Sequence, residues 1–317
     1  MTSSSTATPS GASSSGASSS GASSSGATQW QALSAQASLA SHRLVGWIYW
    51  DPEAIARYTK LGVENGFGYY IATRCAPLAS AGDEVVIAAC YSIHADFIRL
   101  ALKLARENTT FADAYRVRNE AVELGLEKFV PQLVNELGAM ANDLWQAADS
   151  LPMSARVLYS AHRSWPRCEN QPALSAWLAI NCIREWRGDT HWAVLAAHDV
   201  NGVQAGLLHD AFLGYPGDWI PRSRGANDVQ LNEAWDSLDQ RGFVTEQRVN
   251  AKGLQFRQQL EDLTDQLSER AWRNLGETKT RKFCDLVMPH SQTLLSRIDK
   301  TAGENWMPAA RDSRRKQ

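Results

Sequence analysis

The densest run of chemistry-bearing side chains is Arg184-Glu185-Trp186-Arg187-Gly188-Asp189-Thr190-His191. Carboxylate and imidazole side chains move protons or ligate metals, and guanidinium groups present forked donors to an anion. Glu185, Asp189 and His191 are therefore the candidates for acid–base work. Arg74, Arg184, Glu185, Trp186 and His191 are the candidates for holding a ligand. The same run also has a structural reading. Gly188 would end one helix, Asp189 would cap the next (Thr190 to Ala197), and the Arg and Glu side chains would pair in the interior. Arg74, among aromatic residues and just before Pro77, either points inward as an anion binder or bridges to Glu185. His191 and His198 share a helix face, but two turns separate them by about 10 Å, too far for one metal ion. No phosphate loop, no G-x-G-x-x-G after a strand and no G-x-S-x-G occurs. No metal and no cofactor is expected.

The elements that must position these groups are helices. Asp51-Pro52-Glu53 is a helix start: a capping acid, proline at the first position, then a carboxylate near the positive helix end. Apolar residues then recur at helical spacing. Examples are Phe97, Leu100, Ala101 and Leu104, then Leu133, Leu137, Met140, Leu144 and Ala148 behind Pro131. Another helix, Leu174 to Glu185, starts at Pro172. No long alternating strand appears, so residues 30–220 read as an all-helical domain. Trp47, Trp50, Trp165, Trp177, Trp186 and Trp192 lie in it, either as core or as the walls of a pocket for a small aromatic or apolar molecule.

Residues 221–300 read differently. A helix capped by Asn227 or Asp228 ends at Arg241-Gly242. Short β-like runs follow at Val244 and Val249. Asn250 then caps a long helix to Leu275, and a last helix spans about Thr280 to Ile298. This order resembles a winged helix of the MarR type. Tyr69-Tyr70-Ile71-Ala72-Thr73-Arg74-Cys75-Ala76-Pro77-Leu78 resembles the "F-A-x-R-A-A-P-L" element of an actinobacterial helix-turn-helix family of the SalK type. Ile183 to His191 resembles its "L-R-E-x-R-G-D-x-H" element, and Leu263-Thr264-Asp265 and Leu275-Gly276 fit the same pattern. The resemblance covers roughly residues 40–290. The chain departs from it in its N-terminal repeats, at Thr73 and Cys75, and around residues 106–127. It implies a helical domain fused to a winged helix, and it supplies no catalytic residue set.

The fold expectation is thus mainly α: a helical bundle followed by a winged-helix module with a short β-wing. Residues 1–29, rich in Ser, Gly and Ala, are expected to be a disordered tail, and residues 301–317 a basic flexible one. A hydrophobic content of 44% suffices for a core, and a net charge of -2 excludes a polybasic chain, although the last third is net basic. Five scattered cysteines without a C-x-x-C point to reduced thiols and a cytoplasmic setting. No run approaches the ~18 apolar residues of a membrane span.

The function these features favour is a ligand-responsive winged-helix regulator that contacts DNA through Arg241, Arg248 and Lys252, with Arg222 and Arg224 near the phosphates and a homodimer as the default assembly. One feature opposes DNA reading: the helix at 228–240 carries Asp228, Glu233, Asp236 and Asp239 and no basic residue. The alternatives are a tailoring enzyme or small-molecule-binding protein with the winged helix as scaffold, and a protein-interaction module.

Overall fold

A computed structural model describes residues 21–64 and 66–311. The bundle is built from α1 (Gly21–Gly46), α2 (Pro52–Thr59), α3 (Gly66–Arg74), α4 (Asp83–Cys90), α5 (Ala95–Asn108), α6 (Phe111–Phe129), α7 (Pro131–Ala139), α8 (Ala141–Asp149), α9 (Val157–Arg163) and α10 (Pro172–Ala197). Then come α11 (Gly202–Leu213), α12 (Trp219–Ser223), α13 (Asp228–Gln240), β1 (Val244–Thr245), β2 (Arg248–Val249), α14 (Ala251–Leu275), α15 (Glu277–Val287) and α16 (Ser291–Asp299). The expected mainly helical fold with a short β-wing is what forms. The wing is a two-stranded antiparallel ribbon with Val244 opposite Val249.

Helix α10 is the axis of the bundle. It packs against α1, α7, α8, α9 and α14, and its side chains are buried around most of its circumference. A helix covered on most sides belongs in an interior, and the charges it carries there must be paired. This corrects the expected break at Gly188. The helix runs through Gly188 and Asp189 for 26 residues, because packing on several sides outweighs the cost of about 1 kcal/mol of a mid-helix glycine. Asp189 does cap a helix, but another one: its Oδ2 accepts the backbone N–H of Tyr159, in the first turn of α9, at 3.0 Å.

Three apolar cores result among the described residues. The largest surrounds α10 and takes in Trp47, Trp177 and Trp272. A second joins α3, α4, α5 and α9 through Ile71, Val86, Ile98 and Leu158. The third packs α11 and α13 against the end of α10 and the first half of α14, through Leu195, Leu207, Leu231, Leu238 and Leu260. Helix α14 therefore starts in the winged core and ends in the main one, where Trp272 stacks on Phe283. Residues after 275 return to the bundle, α15 and α16 both packing on α1. A division at 220/221 thus does not separate two cores.

Three further expectations are revised. The last helix, expected from about Thr280 to Ile298, is split: Pro289, lacking an N–H, leaves a 3-10 turn at Met288–His290 between α15 and α16. Residues 301–311 of the expected C-terminal tail are packed, with Met307 and Ala310 buried, while 312–317 lie outside the described residues. Of the expected N-terminal tail, 1–20 also lie outside them, and α1 begins at Gly21 rather than near Trp30.

The winged elements dock through a close backbone approach. Asn201 caps α11, accepting from the N–H groups of Val203 and Gln204, while Gln204 Oε1 accepts from Asn201 N. A Cβ at Gly202 would lie 2.6 Å from Ser92 Cα and 2.7 Å from Tyr91 O, both backbone atoms. Gly202→Ala should therefore destabilise the fold by about 1–3 kcal/mol, read as a lower urea midpoint. An unchanged midpoint would mean that the segment after α4 yields freely.

Candidate functional site

A cavity of about 200 Å³ lies at the junction of the three cores. On the bundle side it is lined by His42 of α1, Trp50, Tyr70 and Arg74 of α3, Cys90, and Arg184, Glu185, Arg187, His191 and Trp192 of α10. On the other side stand Leu208 and His209 of α11, Trp219 of α12, Arg224, Arg257 and Glu261 of α14, and Trp306 and Arg311. One wall is aromatic and continuous. Trp50 stacks on Tyr70 at 5.9 Å between centroids and meets Trp306 at 4.5 Å, and Trp306 meets Trp219 edge-on at 5.5 Å.

The polar wall is a chain of paired charges. Glu185 accepts from Arg74 through both oxygens, at 3.0 and 2.6 Å, and from Arg184 at 2.7 Å. Arg184 Nε reaches His42 Nδ1 at 3.2 Å, and Arg74 Nη1 donates to the Tyr70 hydroxyl at 2.8 Å. Burial pushes the Glu185 carboxyl up, but the two guanidinium groups outweigh it and hold it down at about 2. One turn on, Arg187 donates to Glu261 and Asp265, and Arg257 donates to the other oxygen of Glu261 at 3.2 Å. Burial lowers the Arg187 guanidinium, yet its two carboxylates raise it above the usual range.

Glu185 therefore stays ionised and doubly paired at neutral pH, which unfits it as a proton donor. His191 is held down at about 4 by burial, with Glu261 opposing, and so is neutral. Its Nδ1 lies 3.0 Å from Thr264 Oγ1, whose own hydrogen goes to Leu260 O at 2.8 Å. That arrangement puts the imidazole hydrogen on Nδ1 and leaves Nε2 as an acceptor.

The cavity carries an excess of positive charge. Arg74, Arg184, Arg187, Arg224, Arg257 and Arg311 line it, against the carboxylates Glu185 and Glu261. Arg311 is paired with Asp299 behind the wall. Arg224 forms no ion pair among the described residues. It donates to Ser92 Oγ at 2.8 Å, and burial pulls its guanidinium below the usual range. Unpartnered buried polar atoms of lining residues include the indole N–H groups of Trp50 and Trp192 and Nε of Arg187. All three can only donate.

Of the expected ligand residues, Arg74, Arg184, Glu185 and His191 come together here. Trp186 does not: its indole N–H donates to Pro152 O at 3.0 Å, on another side of α10. Asp189 also lies outside the cavity. The Arg74–Glu185 pair, one of the two alternatives for Arg74, is formed. Trp219, Arg257, Trp306 and Arg311 were missed as cavity residues, since they reach it from helices distant in sequence. Only Arg257 left a trace, four residues before Glu261.

At the wing, Arg241 is engaged internally. It donates to Asp199 O at 3.0 Å and His198 O at 3.2 Å, and lies over Phe243 and Phe256. Arg248 on β2 and Lys252 in the first turn of α14 are exposed, as are Asp228, Glu233, Asp236 and Asp239 along α13. Arg222 pairs with Asp218 and Asp228. A family model described as "Helix-turn-helix family" matches residues 34–300. The chain belongs to that helix-turn-helix family. No curated protein and no solved structure matches it. The match spans bundle and winged elements alike and takes in most of the cavity lining, whereas Trp306 and Arg311 lie beyond it. Among the described residues, no helix is long and apolar enough to cross a membrane.

Asp189 yields a pH test. Burial raises its carboxyl to about 7, opposed by the hydrogen bond from Tyr159 N. A carboxyl raised on folding contributes stability that is present below its unfolded pKa of about 4 and lost as pH rises through about 7. Asp189→Asn keeps an oxygen for Tyr159 N and removes that loss. The variant should gain stability relative to wild type between pH 5 and pH 8 in urea titrations. Parallel wild-type and variant curves would show that Asp189 ionises without cost.

Proposed function

We propose that this protein is a DNA-binding regulator whose cavity holds a small planar molecule with an anionic or acceptor-rich end. The observation that carries the reading is the position of the cavity. Its walls include α12, which leads into α13, and α14, which emerges from the wing. An occupant would touch the bundle and the winged elements at once, so its binding energy can bias how they sit together. The aromatic wall from Tyr70 to Trp219 suits a flat apolar body. The positive excess and the donor-only orphans suit a carboxylate or phenolate end. Arg74, Arg184, Glu185 and His191 form the polar frame, with Arg224 the freest cation to meet the anion.

In this reading the wing contacts phosphates through Arg248 and Lys252. Arg241, committed to two carbonyl oxygens and two rings, holds the wing rather than the DNA. A winged helix of the MarR type acting as a homodimer accounts for the order of elements from α11 to α14. A second reading is favoured by one observation: the acidic exposed residues of α13 repel phosphate. Under it the protein binds or modifies the small molecule and the wing is scaffold.

Anisotropy of labelled random duplex DNA across a salt series separates the two. The regulator reading expects affinity to fall steeply with salt, by a slope of about -0.9 per phosphate contacted, with Arg248→Ala and Lys252→Ala each removing about one contact. No binding at low salt would overturn it in favour of the second reading. For the cavity, 1-naphthoate should raise the melting temperature of wild type more than 1-naphthamide does, and Arg224→Ala should erase the difference. Equal shifts for the two compounds would contradict an anion-selective site.

A further inference from the structure

Cys75 and Cys90 stand apart from the other thiols. Cys75 follows α3, Cys90 ends α4, and their Sγ atoms lie 3.6 Å apart. Both are free and buried in an otherwise apolar cluster. Cys168, by contrast, accepts from Asn119 Nδ2 at 3.9 Å. Cys90 also lines the cavity, which is wide enough for a molecule the size of hydrogen peroxide. We propose that Cys75 and Cys90 are a peroxide-sensitive dithiol that closes reversibly to a disulfide.

The two sulfurs divide the chemistry. Cys90 lines the cavity and Cys75 does not, so Cys90 meets the peroxide first, and its hydrogen bonding with Cys75 and the nearby Arg74 favour its thiolate against burial. The Cys90 thiolate attacks one peroxide oxygen. The O–O bond breaks, hydroxide leaves and takes a proton, and Cys90 carries a sulfenic acid. The Cys75 sulfur then displaces the sulfenic hydroxyl as water, losing its own proton. In sum, two thiols and one hydrogen peroxide give a disulfide and two waters.

The bond has a structural consequence. A disulfide spans about 2.05 Å, so the sulfurs must approach by about 1.5 Å. The residues after Cys90 seat the bundle against the winged elements. The Tyr91 ring stacks on Trp192 at 5.2 Å and its hydroxyl donates to Val200 O at 2.6 Å. Ser92 Oγ accepts from Arg224, and His94 N donates to Arg224 O at 2.8 Å. Tyr91 already has φ 40°, a left-handed value uncommon for a side-chain-bearing residue. Drawing Cys90 toward Cys75 therefore pulls on the cavity wall.

The test uses the full chain treated with hydrogen peroxide, then alkylated under denaturing conditions and digested with trypsin. Both cysteines fall in one tryptic peptide, residues 75–99. The expected product is that peptide lighter by two hydrogens and protected from alkylation, with dithiothreitol restoring both thiols. Cys75→Ala should leave Cys90 as a sulfenic acid trapped by dimedone, and Cys90→Ala should leave Cys75 reduced. Two free thiols in this peptide at a dose that oxidises the more exposed Cys168 would overturn the proposal. So would oxidation of Cys75 at the wild-type rate in Cys90→Ala.

Discussion

The structure depends on satisfying three charges on one buried helix. Arg184, Glu185 and Arg187 project from α10 where burial is nearly complete, and an unpaired charge there would cost several kcal/mol. Glu185 is met by Arg74 of α3, and Arg187 by Glu261 and Asp265 of α14, while Arg184 pairs with Glu185 along α10 and donates to His42 of α1. A slip of α3 or α14 by one turn would leave a charge without its cross-helix partner. The pairs thus act on register more than on net stability. Smaller polar contacts extend the frame: the neutral ring of His162 joins Arg74 O at 2.8 Å to Asn181 at 3.2 Å.

The cavity follows from the same constraint. Charged side chains that must meet across helices hold those helices apart, and large aromatic rings fill the space only in part. Trp47 and Trp177 are fully buried in the core, whereas Trp50, Trp192, Trp219 and Trp306 stand at its edge. The result is a cavity with one aromatic wall and one wall of paired charges. Because α14 links the winged core to the main core as one rigid helix, what happens at the cavity is mechanically close to the wing.

The helical class, the wing and its caps were legible because they are local. Asn250 followed by a long periodic run, or Asn227 before α13, states a helix start within four residues. The cavity was half legible. Arg74, Glu185 and His191 stood out by type and neighbourhood, but nothing near Trp306 or Arg257 announces a cavity. Gly188 misled for a physical reason: local propensity favours a break, and only packing against several helices overrides it.

The sequence by itself determined the elements, the chemistry available on α10 and the acidic character of α13, since each is set by residues within a few turns of one another. The tertiary structure alone decided which charges pair across helices and which, like Arg224, form no ion pair among the described residues. It turned Arg241 onto the carbonyl oxygens of His198 and Asp199, turned Asp189 to cap α9, and set Cys75 beside Cys90. Those outcomes depend on burial and on contacts between distant segments, where desolvation makes every polar group find a partner and geometry decides which one.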